Sequence, residues 1–503
     1  MTSARRLATI ALLAAACRDA PTGGSQPCPP AISVLSPSRA APAPRVSPFD
    51  SAFAAAGAEF GVPAEVLKAI AWVETRWQMV EGRDEFPGQA PAFGVMALRG
   101  AALERGAGLA GVTPDRARRD PVANIRAAAA LLDTYADEAA EPWSTVAVRY
   151  SGIEVPAGRA AYAGAVDRAL GRIPRAAPAA CPEGGAPDYA PAVWRASPNF
   201  DERASDSTGA IHLAIIHTCE SNYTSCWSWL VNPVSQVSAH YVVNEDGSEI
   251  SQTVLERDRA WHIAALYDCT LNREHDCWLD SVQSNHFTVG VEHAGFVSQA
   301  SFPASQLDAS AALMCDVTRD RGIPRDWQHI VGHGQLQPAT RTDPGPNWPW
   351  IPYIHRVQAL CGEVVVDDST AYNDAAVAAA AVPATWAASD AAPDYYGGGY
   401  RWAPTAPDAT DGAAFSFQLA ASGTRTVEAR WTSGANRSPR AAYVVITSTG
   451  ATLDTVLVDQ TTAGGQWHTL GTWTFPAGWN RVVLSRQDAR GSVVVADAVR
   501  VRE

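Results

Sequence analysis

The chain has 503 residues, a formal net charge of −13 and an isoelectric point near 5.3. That length exceeds what one hydrophobic core serves, so two to four domains are expected. The acidic balance, with no basic stripe, argues against a nucleic-acid partner.

At the N-terminus, Arg5-Arg6 precede an apolar run over residues 7–16. The run is too short to span a bilayer as a mature helix and reads as an export signal over residues 1–17. Ala14-Ala15-Ala16-Cys17 has the form of a lipoprotein cleavage box, which would acylate Cys17 and anchor the chain to a membrane; ordinary cleavage after Ala16 is the alternative. Residues 18–45 are rich in Pro, Ser and Ala and read as a disordered tether. Setting Cys17 aside leaves eight of the nine cysteines, an even number that suits an oxidising compartment. Cys219/Cys226 and Cys269/Cys277 have short spacings that suit local bridges, and Cys315/Cys361 and Cys28/Cys181 would close longer loops. Cys219 as a metal ligand is the competing reading.

Residues 46–175 are Ala-rich and helical in pattern. Val62-Pro63 opens a helix with proline at its first turn. Val66, Leu67, Ile70 and Val73 form its apolar stripe, and Glu74 lies on the stripe's edge, four residues after Ile70. A half-buried carboxylate there would have a raised pKa, as a general acid for glycoside cleavage requires. Three segments, Ala71-Trp72-Val73-Glu74-Thr75, Phe93-Gly94-Val95-Met96 and Val148-Arg149-Tyr150-Ser151-Gly152, make this region resemble lysozyme-like lytic transglycosylases. The resemblance implies that Glu74 is the catalytic acid. Thr75, Ala97 and Ser151-Gly152 stand where that family usually has Ser, Gln and Asn-Ala-Gly, which puts its groove contacts in doubt. Residues 176–194, with several prolines and glycines, read as a linker.

Residues 195–363 mix strand-like runs at 213–217, 240–244 and 288–293 with a helical stretch at 305–321. Asp246-Gly247 is a hairpin signal. His217 closes the apolar run Leu213-Ala214-Ile215-Ile216, His333 follows His329-Ile330-Val331-Gly332, and Asp343 lies ten residues further on. Two imidazoles and a carboxylate make a three-ligand zinc site with a fourth position for water. Histidine is also clustered, ten of the chain's eleven falling between His212 and His355.

The segments Ile215-Ile216-His217-Thr218, Ser238-Ala239-His240-Tyr241, Ala260-Trp261-His262, Gly290-Val291-Glu292, Gly332-His333 and residues 338–346 (PATRTDPGP) occur in this order. They make the region resemble the type-2 N-acetylmuramoyl-L-alanine amidases, whose zinc fold is shared with peptidoglycan recognition proteins. The resemblance implies a mixed sheet flanked by helices. It also implies hydrolysis of the amide between N-acetylmuramic acid and the L-alanine of the stem peptide, with peptidoglycan as the partner. It makes His217, His333 and Asp343 the Zn2+ ligands and Glu292 the acid–base group. Arg341 stands where the family often has lysine; it can steady an oxyanion but cannot give up a proton. His262 and Tyr241 are expected to contact substrate, a packing role for His262 being the alternative.

Residues 364–503 change character. Alternating runs at 426–431, 442–446, 455–458 and 481–485, with Gly, Ser and Asp turns between them, suit a β-sandwich. Tyr395-Tyr396-Gly397-Gly398-Gly399-Tyr400, Gln466-Trp467-His468-Thr469-Leu470-Gly471 and Ala496-Asp497-Ala498-Val499-Arg500-Val501 resemble the golvesin/xanthan-lyase type of module. No acid–base pair or metal cluster is visible in this part of the sequence.

The expected architecture is an all-α lysozyme-like domain, an α/β zinc amidase domain and an all-β sandwich. The expected function is that of an exported peptidoglycan hydrolase, located in the cell envelope (periplasmic or lipoprotein-anchored) or secreted. The alternatives are a recognition protein that holds muropeptides without cutting, and a lytic transglycosylase whose main chemistry lies in the N-terminal domain.

Overall fold

The structure, a computed structural model, describes residues 46–137, 142–171 and 186–503. The export signal, Cys17, the tether and the Cys28/Cys181 pairing lie outside these residues. No helix among the described residues is long and apolar enough to cross a membrane.

The N-terminal region is helical. It runs α1 (Asp50–Phe60), α2 (Ala64–Thr75), a short hairpin β1 (Ala92–Phe93) and β2 (Leu98–Arg99), then α3 (Gly100–Leu109), α4 (Pro114–Arg119), α5 (Pro121–Asp137), α6 (Trp143–Ser151) and α7 (Pro156–Ala169). The apolar stripe of α2 (Val66, Leu67, Ile70, Val73) packs into one core with Phe53, Ile125, Leu131, Tyr162 and Val166. Gly94 has a physical reason to be glycine: its φ is +76°, and a Cβ would sit 2.2 Å from the Asn124 amide. That amide accepts from Met96 N and donates to Phe93 O, which pins the Gly-Val-Met turn, and Tyr150 Oη donates to Met96 O.

The central region is built on a six-stranded mixed sheet of β3 (Val193–Trp194), β5 (Leu213–Thr218), β6 (Tyr241–Val243), β7 (Ile250–Gln252), β9 (Thr288–His293) and β10 (Ile330–Gly332), in the order β10-β5-β9-β6-β7-β3. A small side ribbon pairs β4 (Phe200–Glu202) with β8 (Asp258–Ala260). Strands β10, β5, β9 and β6 are parallel; β6 and β7 form the antiparallel hairpin expected at Asp246-Gly247. One face of the sheet (Ala214, Ile216, Val289, Val291, Ile330) is covered by α9 (Ala304–Arg321) and α11 (Trp350–Leu360), after α8 (Tyr223–Leu230) and the single turn α10 (His333–Leu336) in the numbering. Leu213, Ile215 and Val331 point to the other face. Tyr189 and Ala192, expected in a linker, join the sheet's core, and β3 is its edge strand.

The C-terminal region is all β, with four-, five- and three-stranded sheets. Alternation is clean in Ala413–Leu419, where every second side chain is buried. Phe415, Phe417, Phe475, Tyr443 and Trp386 form its core.

Three expected disulfides are present: Cys219–Cys226, Cys269–Cys277 and Cys315–Cys361. The first removes Cys219 as a metal ligand. The helical and central regions meet along α7 and α8, where a Cβ on Gly158 would lie 2.1 Å from Ser228 Oγ. Phe86, from the segment between α2 and β1, packs among Cys219, Cys226, Tyr223 and Trp227 of the central region.

Candidate metal centre and the buried acids around it

Strand periodicity sets up the site. In β5, Leu213, Ile215 and His217 share one face. His217 therefore leaves the strand's end on the face away from α9 and α11. Its neighbour in register on β9 is Glu292. Val331 of β10 is on the same face, so His333, two residues on, follows it over the strand's end. Asp343 returns in the loop after α10, with its backbone O accepting from Gly334 N.

The three expected ligands meet. His217 Nδ1 lies 3.0 Å from His333 Nδ1 and 3.2 Å from Asp343 Oδ2, and His333 Nδ1 lies 3.3 Å from Asp343 Oδ2. A tetrahedral zinc ion with bonds of about 2.0–2.1 Å places its ligand atoms about 3.3 Å apart. All three side chains are buried, and neither Asp343 oxygen has a hydrogen-bond partner. The far nitrogens are tied down. His333 Nε2 faces Gln337 Oε1 at 3.2 Å, so in the neutral ring the proton sits on Nε2 and Nδ1 is left to face the cluster. His217 Nε2 faces His262 Nδ1 at 3.0 Å, and His262 Nε2 reaches Thr288 Oγ1, which itself donates to Ser284 O. This relay fixes His217 in the same tautomer, the arrangement that orients metal-ligating histidines.

A fourth group enters from the helical region. Glu85 Oε1 lies 3.4 Å from His333 Nδ1, and Glu85, His217, His333 and Asp343 together form a buried set with metal-ligand spacing. Nothing local marks Glu85 in the sequence: it sits in a polar loop, 256 residues before Arg341, which donates to its backbone O through Nη2 at 3.1 Å. Arg341 Nε, 3.8 Å from Glu85 Oε2, makes no hydrogen bond.

Charge explains the acid–base behaviour of the cluster. Burial, and the charges of Glu85 and Asp343, push Glu292 well above the carboxylate range; its Oε2 has no partner. Burial and Asp343 push Glu85 up to about 7. Burial and His333 push His217 down to about 4. For His333 burial works downwards, but Asp343 and Glu85 outweigh it and hold it at about 10, so the pocket draws positive charge to that nitrogen. The donor set and the spacing fit a divalent metal ion.

Two expected substrate contacts fall elsewhere. Tyr241 is fully buried in the core under the sheet, and its hydroxyl donates to Glu256 Oε1; β6 is covered on both faces, so its side chain does not reach a groove. His262 lies behind His217 and across β9, where a Cβ on Gly290 would touch its ring at 2.5 Å. His240 is also set back, with Arg203 Nη2 donating to its Nε2 and Nδ1 accepting from Gly290 N.

Glu74 is buried at the seam between the helical and central regions. Tyr162 Oη donates to one of its oxygens and Asn222 Nδ2, from the N-cap of α8, donates to the other at 2.9 Å. Burial raises its pKa against these two donors and Arg99. The cavity beside it measures 30 Å³, room for a water but not for a sugar. A larger cavity of 890 Å³, lined by His212 and His329, lies at the opposite ends of β5 and β10 from His217 and His333.

In the β-sandwich, the sequence showed no acidic cluster. The fold nonetheless brings Asp367, Asp368 and Asp497 together, all buried, each with one oxygen that makes no hydrogen bond. Asp367 ends the first strand and Asp368 follows it, while Asp497 immediately precedes the last strand; the two strands pair antiparallel with Asp367 opposite Ala498.

Three family models match the chain: a transglycosylase SLT domain over residues 51–163, N-acetylmuramoyl-L-alanine amidase over 207–346 and a golvesin C-terminal domain over 365–503. N-acetylmuramoyl-L-alanine amidase A of Achromobacter lyticus is 32% identical over 189 residues, covering 34% of this chain and 95% of that protein. Xanthan lyase of Bacillus sp. (strain GL1) is 28% identical over 228 residues, covering 44% of this chain; the chain spans only 22% of that enzyme's length. A solved structure of AmpD is 25% identical with a TM-score of 0.26, covering 34% of this chain and 94% of that one. With a catalytic-type cluster on a mixed sheet between a helical and an all-β region, the chain belongs to the N-acetylmuramoyl-L-alanine amidase family, with an SLT transglycosylase domain before its amidase domain and a golvesin domain after it.

Proposed function

We propose that this protein is an exported, zinc-dependent peptidoglycan hydrolase that cuts the amide between N-acetylmuramic acid and the L-alanine of the stem peptide. The observation that carries this reading is the convergence of His217, His333 and Asp343 at ligand spacing, with Glu292 beside them on β9. Zinc held there would supply an acidified water and a Lewis acid for the scissile carbonyl. Glu292, buried and with an unpartnered oxygen, accepts the water's proton and passes it to the leaving nitrogen of L-alanine. Arg341 offers a fixed positive charge to the oxyanion of the tetrahedral intermediate. Gln337 and His262 keep the two imidazoles oriented. A recognition protein that only binds muropeptides would not need Glu292 buried beside a complete ligand set. Three disulfides support export to an oxidising compartment.

The test is incubation of the zinc-loaded chain with purified peptidoglycan, reading release of stem peptides with N-terminal L-alanine, with and without chelator. Chelator-sensitive release is expected. No release, either by this chain or by a Glu85→Ala variant from which the intruding carboxylate is gone, overturns the reading. The second reading, glycan cleavage by the SLT domain, has the raised Glu74 carboxyl and the Tyr150–Met96 turn in its favour. It requires 1,6-anhydro-muropeptides that disappear in Glu74→Gln.

A further inference from the structure

Glu85 belongs to the SLT domain by sequence and to the amidase centre by position. We propose that Glu85 is a fourth protein ligand of the amidase metal, so that the SLT domain closes the amidase centre while the amidase domain closes the groove at Glu74. The proposal rests on the reading of His217, His333 and Asp343 as metal ligands.

The geometry carries it. Glu85 Oε1 stands 3.4 Å from His333 Nδ1, close to the 3.0–3.3 Å edges among the other three residues, and all four ligand atoms lie within 4.8 Å of one another. A catalytic zinc site keeps its fourth position for water or substrate, whereas a site with four protein ligands is closed. Glu85 takes the position that the reaction needs.

The segment that presents Glu85 is held on both sides. Glu81 N donates to Ser298 Oγ, Arg83 N donates to Glu220 Oε2 at 2.9 Å, and Arg341 donates to Glu85 O. Phe86, the next residue, is buried against the Cys219–Cys226 bridge and Trp227. These contacts tie the 81–86 strip to the amidase domain, while Gly82 N donates to Ala92 O and Glu81 bridges Phe93 on the helical side. Arg341 is occupied by the same strip, so closure engages an oxyanion donor as well as the metal. The closure is reciprocal: Asn222, which caps α8 of the amidase domain, hydrogen-bonds the Glu74 carboxylate and leaves no room there for a glycan. One movement of the two domains apart, along the α7–α8 seam, would expose both acids to solvent.

The experiment uses full-length protein loaded with Co2+ in place of zinc. It reads three things: cobalt affinity, the visible d–d spectrum, and binding of acetohydroxamate as a small metal-directed probe. Glu85→Ala is expected to weaken cobalt binding by about tenfold or more, to change the spectrum, and to tighten acetohydroxamate binding by a similar factor. Gly158→Leu, which keeps the Glu85 side chain but wedges α7 from α8 and so draws it from the site, is expected to change the spectrum and admit acetohydroxamate in the same way. Circular dichroism of each variant separates these effects from loss of fold. If cobalt binds at the His217/His333/Asp343 set but Glu85→Ala leaves affinity, spectrum and probe binding unchanged, Glu85 is not a ligand and the proposal falls while the metal centre stands. If His217→Ala does not reduce cobalt binding, the metal centre itself falls. If Glu85→Ala alone opens the site and a folded Gly158→Leu does not, the ligand role holds and the closure by domain contact is overturned.

Discussion

The amidase centre and the Glu74 site both bury a carboxylic acid at the end of an element, yet the two burials are resolved differently. Around Glu74 the hydrogen-bonding neighbours are neutral donors, Tyr162 and Asn222, with the opposed charges of Arg99 and Glu245 nearby; the acid is satisfied as it stands. Around Asp343 the neighbours are two imidazoles and two further carboxyl groups, and the Asp343 oxygens make no hydrogen bond. The first site is complete with protons and amides alone, whereas the second has the donors and spacing to hold a cation. A buried acid is therefore informative about function through what surrounds it, since buried polar groups left without partners cost free energy unless something else meets them.

The sharpest break of this comparison is Asp343→Ala. It removes the ligand and the pull on His333, so both bound zinc and amide hydrolysis should be lost; zinc stoichiometry beside stem-peptide release checks it. Glu292→Gln keeps shape but cannot accept a proton. Turnover should fall by about a hundred- to ten-thousandfold with zinc content unchanged, and near-normal hydrolysis would remove Glu292 from the mechanism. Arg341→Ala should cost about a hundred- to a thousandfold in turnover, and Arg341→Lys should keep substantial activity because the charge stays.

The smallest effect belongs to the satisfied site. Glu74 has a folded pKa raised above its ordinary value of 4.5. Its contribution to stability is therefore fully present below about pH 4.5, where folded and unfolded chains both hold the proton, and is lost as pH rises towards the folded pKa. Glu74→Gln should match the parent near pH 4 and unfold a few degrees higher at pH 8. Equal melting temperatures at pH 8 would show that folding does not raise the Glu74 pKa.

Much of the candidate site was legible because its residues lie along single strands. Apolar runs ending in His217 and His333 marked strand ends, and the period of two put Leu213, Ile215 and His217 on one face. The cysteine pairs were legible for a similar reason, since seven- and eight-residue spacings leave few geometries open. Tyr241 was misplaced because parallel strands are covered on both faces and carry no alternation to say which side opens on a groove. Glu85 was invisible: its role comes from how two domains dock, and no local pattern records that. The same holds for Asp367, Asp368 and Asp497, brought together by pairing of the first and last strands of one module.

The joint between the amidase and golvesin domains has a mechanical consequence. Only Cys361 and Gly362 separate the end of α11 at Leu360 from the first sandwich strand at Glu363, and Cys361 is bridged to α9. Arg325 pairs with Glu363, Arg273 donates to Gly397 O, and Gln358 donates to the Tyr396 hydroxyl across the same joint. Such a connection is a bracket where a long linker would be a leash. A surface bound by the sandwich would hold the candidate centre at a fixed height and heading above it. Its reach is set by the dimensions of the fold, and cuts made from one point of attachment would fall at one distance from it.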